Sequence, residues 1–192
     1  MIELLAITDD ATPPQPPLRL VPAGRVSVLV APAGDTEIVR AAGEEPAADA
    51  EALWQRESLL EELMRERALL PIRYGTRVED DDAAAAAVAP RDAELAAALD
   101  RVRGAVEVSV RAVAGDGSVA AEPEAVHERL SAAAREHARL DGPEPLRAAY
   151  LVDAGAVDHF VATVRELQHQ HPGLSILCTG PWPPYSFAEA PA

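Results

Sequence analysis

Residues 2–8 form a short apolar run that stops at Asp9 and Asp10, the pattern of a buried strand. Pro13, Pro14, Pro16 and Pro17 then give a rigid, extended loop with few backbone donors. Residues 18–21 predict a second strand and residues 25–30 a third, which is β-branched and alternating. Pro22 and Gly24 make the turn between them. Residues 35–49 show no clear period, and Gly43 and Pro46 argue for a break. From 50 to 67 the period becomes helical, with Leu53, Trp54, Leu60, Leu63 and Met64 on one stripe and Asp49 as the N-cap.

Residues 68–76 read as a strand leaving into a tight turn, and Pro71 inside it implies an edge or a bulge. Acidic Glu79 to Asp82 open a helix over 79–88 that Pro90 stops. A second helix over 91–103 buries Leu95, Leu99 and Val102 and ends at Gly104. Val106, Val108 and Val110 alternate with Glu107, Ser109 and Arg111, which predicts a half-buried strand. After a turn at 115–118, a helix over 123–140 carries Val126, Leu130, Ala133, Ala134, His137 and Leu140 on one side. A strand over 147–152 follows, then a helix capped by Asp153 and a last strand over 174–178. These elements predict an α+β chain of two small domains, 1–104 and 105–192. The second has a β-α-β-α-β, ferredoxin-like order.

Composition narrows the function. The chain has 192 residues, a formal charge of −15, and 17 basic residues, all of them arginine. Such an acidic chain repels phosphate backbones and anionic membrane surfaces, so neither nucleic acid nor membrane is expected as a partner. No apolar stretch reaches the length of a membrane span, and the start lacks the basic region of a signal peptide. The single cysteine, Cys178, closes no internal disulfide, so an intracellular, cytoplasmic location is expected.

Candidate chemistry is sparse. His169 and His171 are two apart and diverge on a helix, so a metal site is not expected there. His137 reads as a packed residue, and His127 and His159 as surface positions. Cys178 reads as a small core hydrophobe. Glu79 to Asp82 lack the spacing of a calcium loop, and no phosphate-loop, nucleophile-elbow or zinc-protease motif occurs. The chain is therefore expected to be no enzyme and to hold no cofactor or metal.

One segment stands apart. Thr179-Gly180-Pro181-Trp182-Pro183-Pro184-Tyr185-Ser186-Phe187 places Trp182, Tyr185 and Phe187 within six residues and stiffens them with three prolines. Two readings stay open: a plug for a core short of large side chains, or a preorganised aromatic surface for a protein partner. A cis Trp182–Pro183 bond is a further option.

Two motifs together resemble one family. TGPWPPYSF at 179–187 is similar to the C-terminal signature of the GvpF/GvpL family of gas vesicle proteins, and LLPIRYGT at 69–76 resembles its second conserved segment. Residues 149–153 and 157–160 resemble the stretch before the family's last helix, and residues 4–8 its opening strand. A histidine common in the family before the 69–76 segment is absent here, so no role is carried over for it. The resemblance implies two α+β domains, the second a modified ferredoxin-like fold. It also implies an accessory protein located at gas vesicles, whose partners are the apolar shell subunit and other accessory proteins during nucleation and assembly. Candidate partner-binding residues are Pro71, Arg73, Tyr74, Gly75 and Thr76 with Gly180, Pro181, Trp182, Pro183, Pro184, Tyr185 and Phe187. The two motifs are expected to pack together, with Arg73 pairing with the second and Gly75 at positive φ. The alternatives are a small-molecule-binding or enzymatic ferredoxin-like domain, with Arg73 and His137 as its polar groups, and a minor structural component of the shell.

Overall fold

A computed structural model describes residues 1–33, 50–114 and 122–188. The expected Asp49 cap, the break at 35–49 and the turn at 115–118 lie outside the described residues. The chain divides into two compact units, Met1–Arg103 and Gly104–Ala192.

In the first unit, β1 (Ile2–Thr8), β2 (Arg19–Ala23) and β3 (Val26–Pro32) form an antiparallel sheet in the order β2-β3-β1. Nearly every residue of β1 and most of β3 are buried, as expected of central strands covered on both faces. Helix α1 (Ala50–Met64) precedes two short strands, β4 (Leu70–Pro71) and β5 (Arg77–Val78), which both pair with β1. Pro71 thus sits on a strand at the sheet's edge, where its missing N–H removes no ladder bond. Helices α2 (Asp81–Val88) and α3 (Asp92–Val102) close the unit. Asp80 caps α2, its carboxylate accepting the Ala83 N–H at 2.9 Å.

Two expectations are corrected here. The α2 helix starts at Asp81 rather than 79, because Asp80 serves as its N-cap. On α1 the buried stripe is rotated: Leu60 is buried, Leu63 and Met64 are half-buried, and Leu53 and Trp54 are exposed, Trp54 by 64%. Arg56 takes their place in the interior.

The second unit contains β6 (Ala105–Ala114), α4 (Pro123–Ser131), β7 (Glu136–Arg139), β8 (Leu146–Asp153), α5 (Val157–Gln170) and β9 (Leu174–Trp182). The sheet order is β7-β8-β6-β9 with every pair antiparallel. That is the ferredoxin-like arrangement, β-α-β-β-α-β, with one strand more than expected. The single helix expected over 123–140 breaks at Ser131, and 136–139 pairs along β8 instead. Edge pairing overrides local propensity here; Glu136 and Ala138 are half-buried, while His137 and Arg139 are exposed on the face that carries Tyr150. Val108, Val110, Val126, Leu130, Tyr150 and Phe160 lead the core between the sheet and the two helices.

Two histidine expectations are reversed. His127 is buried and its Nδ1 lies 2.7 Å from the Tyr150 hydroxyl, whereas His137 is exposed, its ring edge-on to His127 at 4.9 Å. Burial first, then the Arg139 and His137 charges, push the His127 pKa down. Asp153 makes no side-chain cap to the turn that follows and instead accepts from Arg135. Among the described residues, the cis bonds are Pro16–Pro17 and Gly180–Pro181, not Trp182–Pro183.

Candidate functional site

The 69–76 motif is clamped onto β1. Leu69 and Leu70 are buried, and Ile72 N donates to Leu5 O at 2.9 Å. The chain then turns: Thr76 donates to Arg73 O through both its N–H at 3.3 Å and its hydroxyl at 2.8 Å. Gly75 sits at φ +76°, open to glycine without strain. Leu4 N donates to Thr76 O at 2.9 Å, so both ends of the motif are bound to the same strand.

Arg56 reaches the motif from α1. Its Nη2 donates to Leu5 O at 3.0 Å and also to Ile72 O. The guanidinium lies 5.6 Å from the Tyr74 ring centroid, and Nε is 4.0 Å from a Glu3 carboxylate oxygen. Sequence reasoning missed Arg56. The available signal was its spacing, four before Leu60 and seven before Leu63, which places it on the buried stripe. Arg73 itself is exposed at the turn.

The 179–187 motif is built differently. Strand β9 continues through Trp182, beyond the expected end at 178. A bulge accommodates Gly180 and Pro181, since Ser109 pairs with Thr179 while Glu107 pairs with Trp182. Gly180 has φ +121°, and a Cβ there would stand 2.8 Å from the Glu107 carbonyl oxygen. Trp182 is half-buried, its indole N–H donating to Thr179 Oγ1 at 3.3 Å. Pro183 and Pro184 are buried, and a 3-10 turn, Tyr185–Phe187, seats Phe187 in the interior.

Glu107 holds that turn. Ser186 donates its backbone N–H to Glu107 Oε2 at 2.8 Å and its hydroxyl to Oε1 at 3.0 Å. Burial pushes the Glu107 carboxyl above its ordinary value, against the Ser186 and Ser109 hydrogen bonds that pull it down. Alternation along β6 had placed Glu107 on a solvated face. Its partner lies 79 residues away, and no local signal could have found it.

The same helix-free face of the sheet carries a cavity of about 420 Å³ lined by Arg111, Leu140, Arg147, Leu177, Thr179 and Trp182 among others. Leu177 is 57% exposed. A smaller cavity of about 310 Å³ lies beside α5, with Val164, Arg165 and half-buried Cys178 in its lining. Burial raises the Cys178 thiol pKa. Among the described residues, no group of three or more histidine, cysteine or acidic side chains is placed to hold a metal ion. The two motifs fall in different units, 69–76 in the first and 179–187 in the second.

The model of the family described as gas vesicle synthesis protein GvpL/GvpF matches residues 6–127 and 117–189. This chain belongs to that family. Gas vesicle protein F2 of Halobacterium salinarum is 28% identical over 130 residues, covering 64% of this chain and 60% of its own length. Gas vesicle protein F of a Streptomyces species is 27% identical over 92% of this chain and 90% of that one. The chain therefore spans less than two thirds of the halobacterial relative and most of the streptomycete one. The crystal structure of GvpF from Microcystis aeruginosa superimposes with a TM-score of 0.76 over 98% of this chain and 99% of that one, at 18% identity. GvpF from Anabaena gives 0.75 over 100% and 99%, at 19% identity. GvpF/GvpL membership gives the chain a gas vesicle-related role, and the structural likeness shows a shared fold. Among the described residues no helix is long and apolar enough to cross a membrane.

Proposed function

We propose that this chain is an accessory protein of gas vesicle assembly that holds the apolar shell subunit, or another vesicle protein, against the closing motif. One observation supports it most: Leu177 and Trp182 line one opening on β9, and β9 is an edge strand that pairs only with β6 among the described residues. An exposed leucine beside an anchored tryptophan on an open strand edge is the chemistry of a docking surface. The prolines and the Glu107–Ser186 bonds preorganise it, so little entropy is lost on docking. Exposed Arg73, at the turn of the other motif, is proposed as a second contact.

The test is capture of the shell subunit by purified wild-type chain and by a Leu177→Glu, Trp182→Ala variant, each checked for an unchanged β-sheet melting transition. Loss of capture with melting retained supports the reading. Equal capture overturns it. Abundance in purified vesicles separates an assembly factor, which is scarce, from a shell component.

A further inference from the structure

The cavity on the helix-free face of the second sheet has an electrostatic arrangement that the docking reading does not use. Arg111 on β6 and Arg147 on β8 are register partners, so two guanidinium side chains rise side by side from one face. Like charges directly opposite across an antiparallel pair repel unless an anion stands between them. Glu144 meets only part of this need. Its Oε1 lies 3.8 Å from Arg111 Nη1, and its buried Oε2 has no hydrogen-bond partner. Arg147 donates Nη1 to the Asp141 carbonyl at 2.8 Å, while its buried Nε has no hydrogen-bond acceptor. The lining itself carries these two cations and no carboxylate.

The rest of the lining is chiefly apolar, with Leu140, Leu177 and Trp182 as the walls. A volume of about 420 Å³ falls within the range of small-molecule sites. We propose that this cavity binds a small monocarboxylate carried on an apolar stem. The carboxylate lies between Arg111 and Arg147, whose planar forks suit it. The stem packs on Leu177 and Trp182. One anionic charge answers the unpartnered Arg147 Nε, whereas a dianion such as phosphate brings more charge against the Glu144 carboxylate. The proposal needs no protein partner, so it stands or falls apart from the docking reading.

Trp182 is its own reporter. The only other tryptophan is the exposed Trp54, so a Trp54→Phe background isolates the signal. Phenylbutyrate and its uncharged amide are titrated in parallel, with inorganic phosphate as a third arm, following Trp182 fluorescence and saturation-transfer NMR of the probe. The expected result is saturable binding of phenylbutyrate, with binding of the amide weaker by about tenfold or more, the loss of a charge-assisted hydrogen bond. Arg147→Gln and Arg111→Gln each weaken phenylbutyrate by a similar factor. Arg111 is half-exposed, so its variant keeps the test valid if Arg147→Gln fails to fold. Equal binding of acid and amide, binding of the acid unchanged in both variants, tighter binding of phosphate, or no saturable response up to the probe's solubility limit each overturns the proposal.

Discussion

The turn at 72–76 and the closing segment at 180–187 are each fastened by one buried charge that comes from outside the motif. In the first unit it is the Arg56 cation, whose donors meet the carbonyls of Leu5 and Ile72. In the second it is the Glu107 carboxyl, whose oxygens accept from the N–H and hydroxyl of Ser186. Each charge meets a main-chain group where the chain turns, Arg56 the Ile72 carbonyl and Glu107 the Ser186 N–H. They differ in what they permit. A guanidinium stays charged at every accessible pH, so the first turn is fixed once the unit has folded. A buried carboxyl titrates, and its burial opposes its own hydrogen bonds, so the second fastening is weaker and depends on conditions. The permanent fastening goes with the motif whose two ends are both tied to β1, and the adjustable one with the motif beside the exposed leucine and the cavity.

The harshest way to break the comparison is at Arg56. Arg56→Met leaves the Ile72 carbonyl without that donor and removes a cation 4.0 Å from half-buried Glu3. The expected loss is about 3–5 kcal/mol in the first unit, the cost of removing one member of a buried charged set. Hydrogen exchange of the β1 and β4 amides reads it directly. Arg56→Lys is expected to recover only part of the loss, since one nitrogen serves both carbonyls but an ammonium has no planar group to lie beside the Tyr74 ring. Full recovery by lysine would reduce the fastening to a simple charge.

Gly180 comes next. At φ +121°, with the Glu107 carbonyl 2.8 Å from a prospective Cβ, Gly180→Ala is expected to cost about 2–3 kcal/mol in the second unit. Gly155→Ala is the control, because a Cβ there meets nothing within 4 Å. Its expected effect stays within about 0.5 kcal/mol. Thermal melts of the two variants side by side check this, and equal melting would mean that the bulge carries no constraint.

The failures of sequence reading follow the same division. The first three strands were legible because apolar, β-branched runs bounded by proline and glycine signal themselves locally. β7 was not, because Glu-His-Ala-Arg has no strand character until β8 offers it an edge. Missing it misplaced His137, whereas His127 lies in the part of the helix read correctly and is buried there against Tyr150. Glu107 was illegible for a stronger reason. It is buried only because the chain folds back, and alternation along one strand cannot report what later covers its open face, whereas the burial of Phe187 agrees with the plug reading of the closing segment. Arg56 was legible in its spacing, but an arginine on an apolar stripe is ordinarily read as solvent-facing.

Ser186→Ala probes the second fastening more gently. It removes the hydroxyl at 3.0 Å and leaves the backbone N–H at 2.8 Å in place. The expected loss is about 1 kcal/mol, with the Glu107 contribution cut but not abolished. A double-mutant cycle with Glu107→Gln measures the coupling, and strict additivity would show that the two groups act independently.

The smallest effect is the one that most sharpens the comparison, since it asks whether the two fastenings respond differently to pH. The folded pKa of Glu107 is raised above its ordinary value of 4.5. The stability it contributes is therefore fully present below that value and is lost as pH rises through the raised one. His127 in the same unit acts in the opposite direction. Its folded pKa is lowered from 6.5, so its contribution is present above that value and is lost as pH falls through the lowered one. The total pH profile of the second unit mixes the two and decides nothing. The difference between wild type and Glu107→Gln cancels His127 and isolates the carboxyl. That difference is expected to favour wild type most near pH 4 and to fall steadily as pH rises toward neutrality. A Glu107 difference that is flat or rising over this range would mean that the Ser186 bonds outweigh burial. The second fastening would then be as permanent as the first.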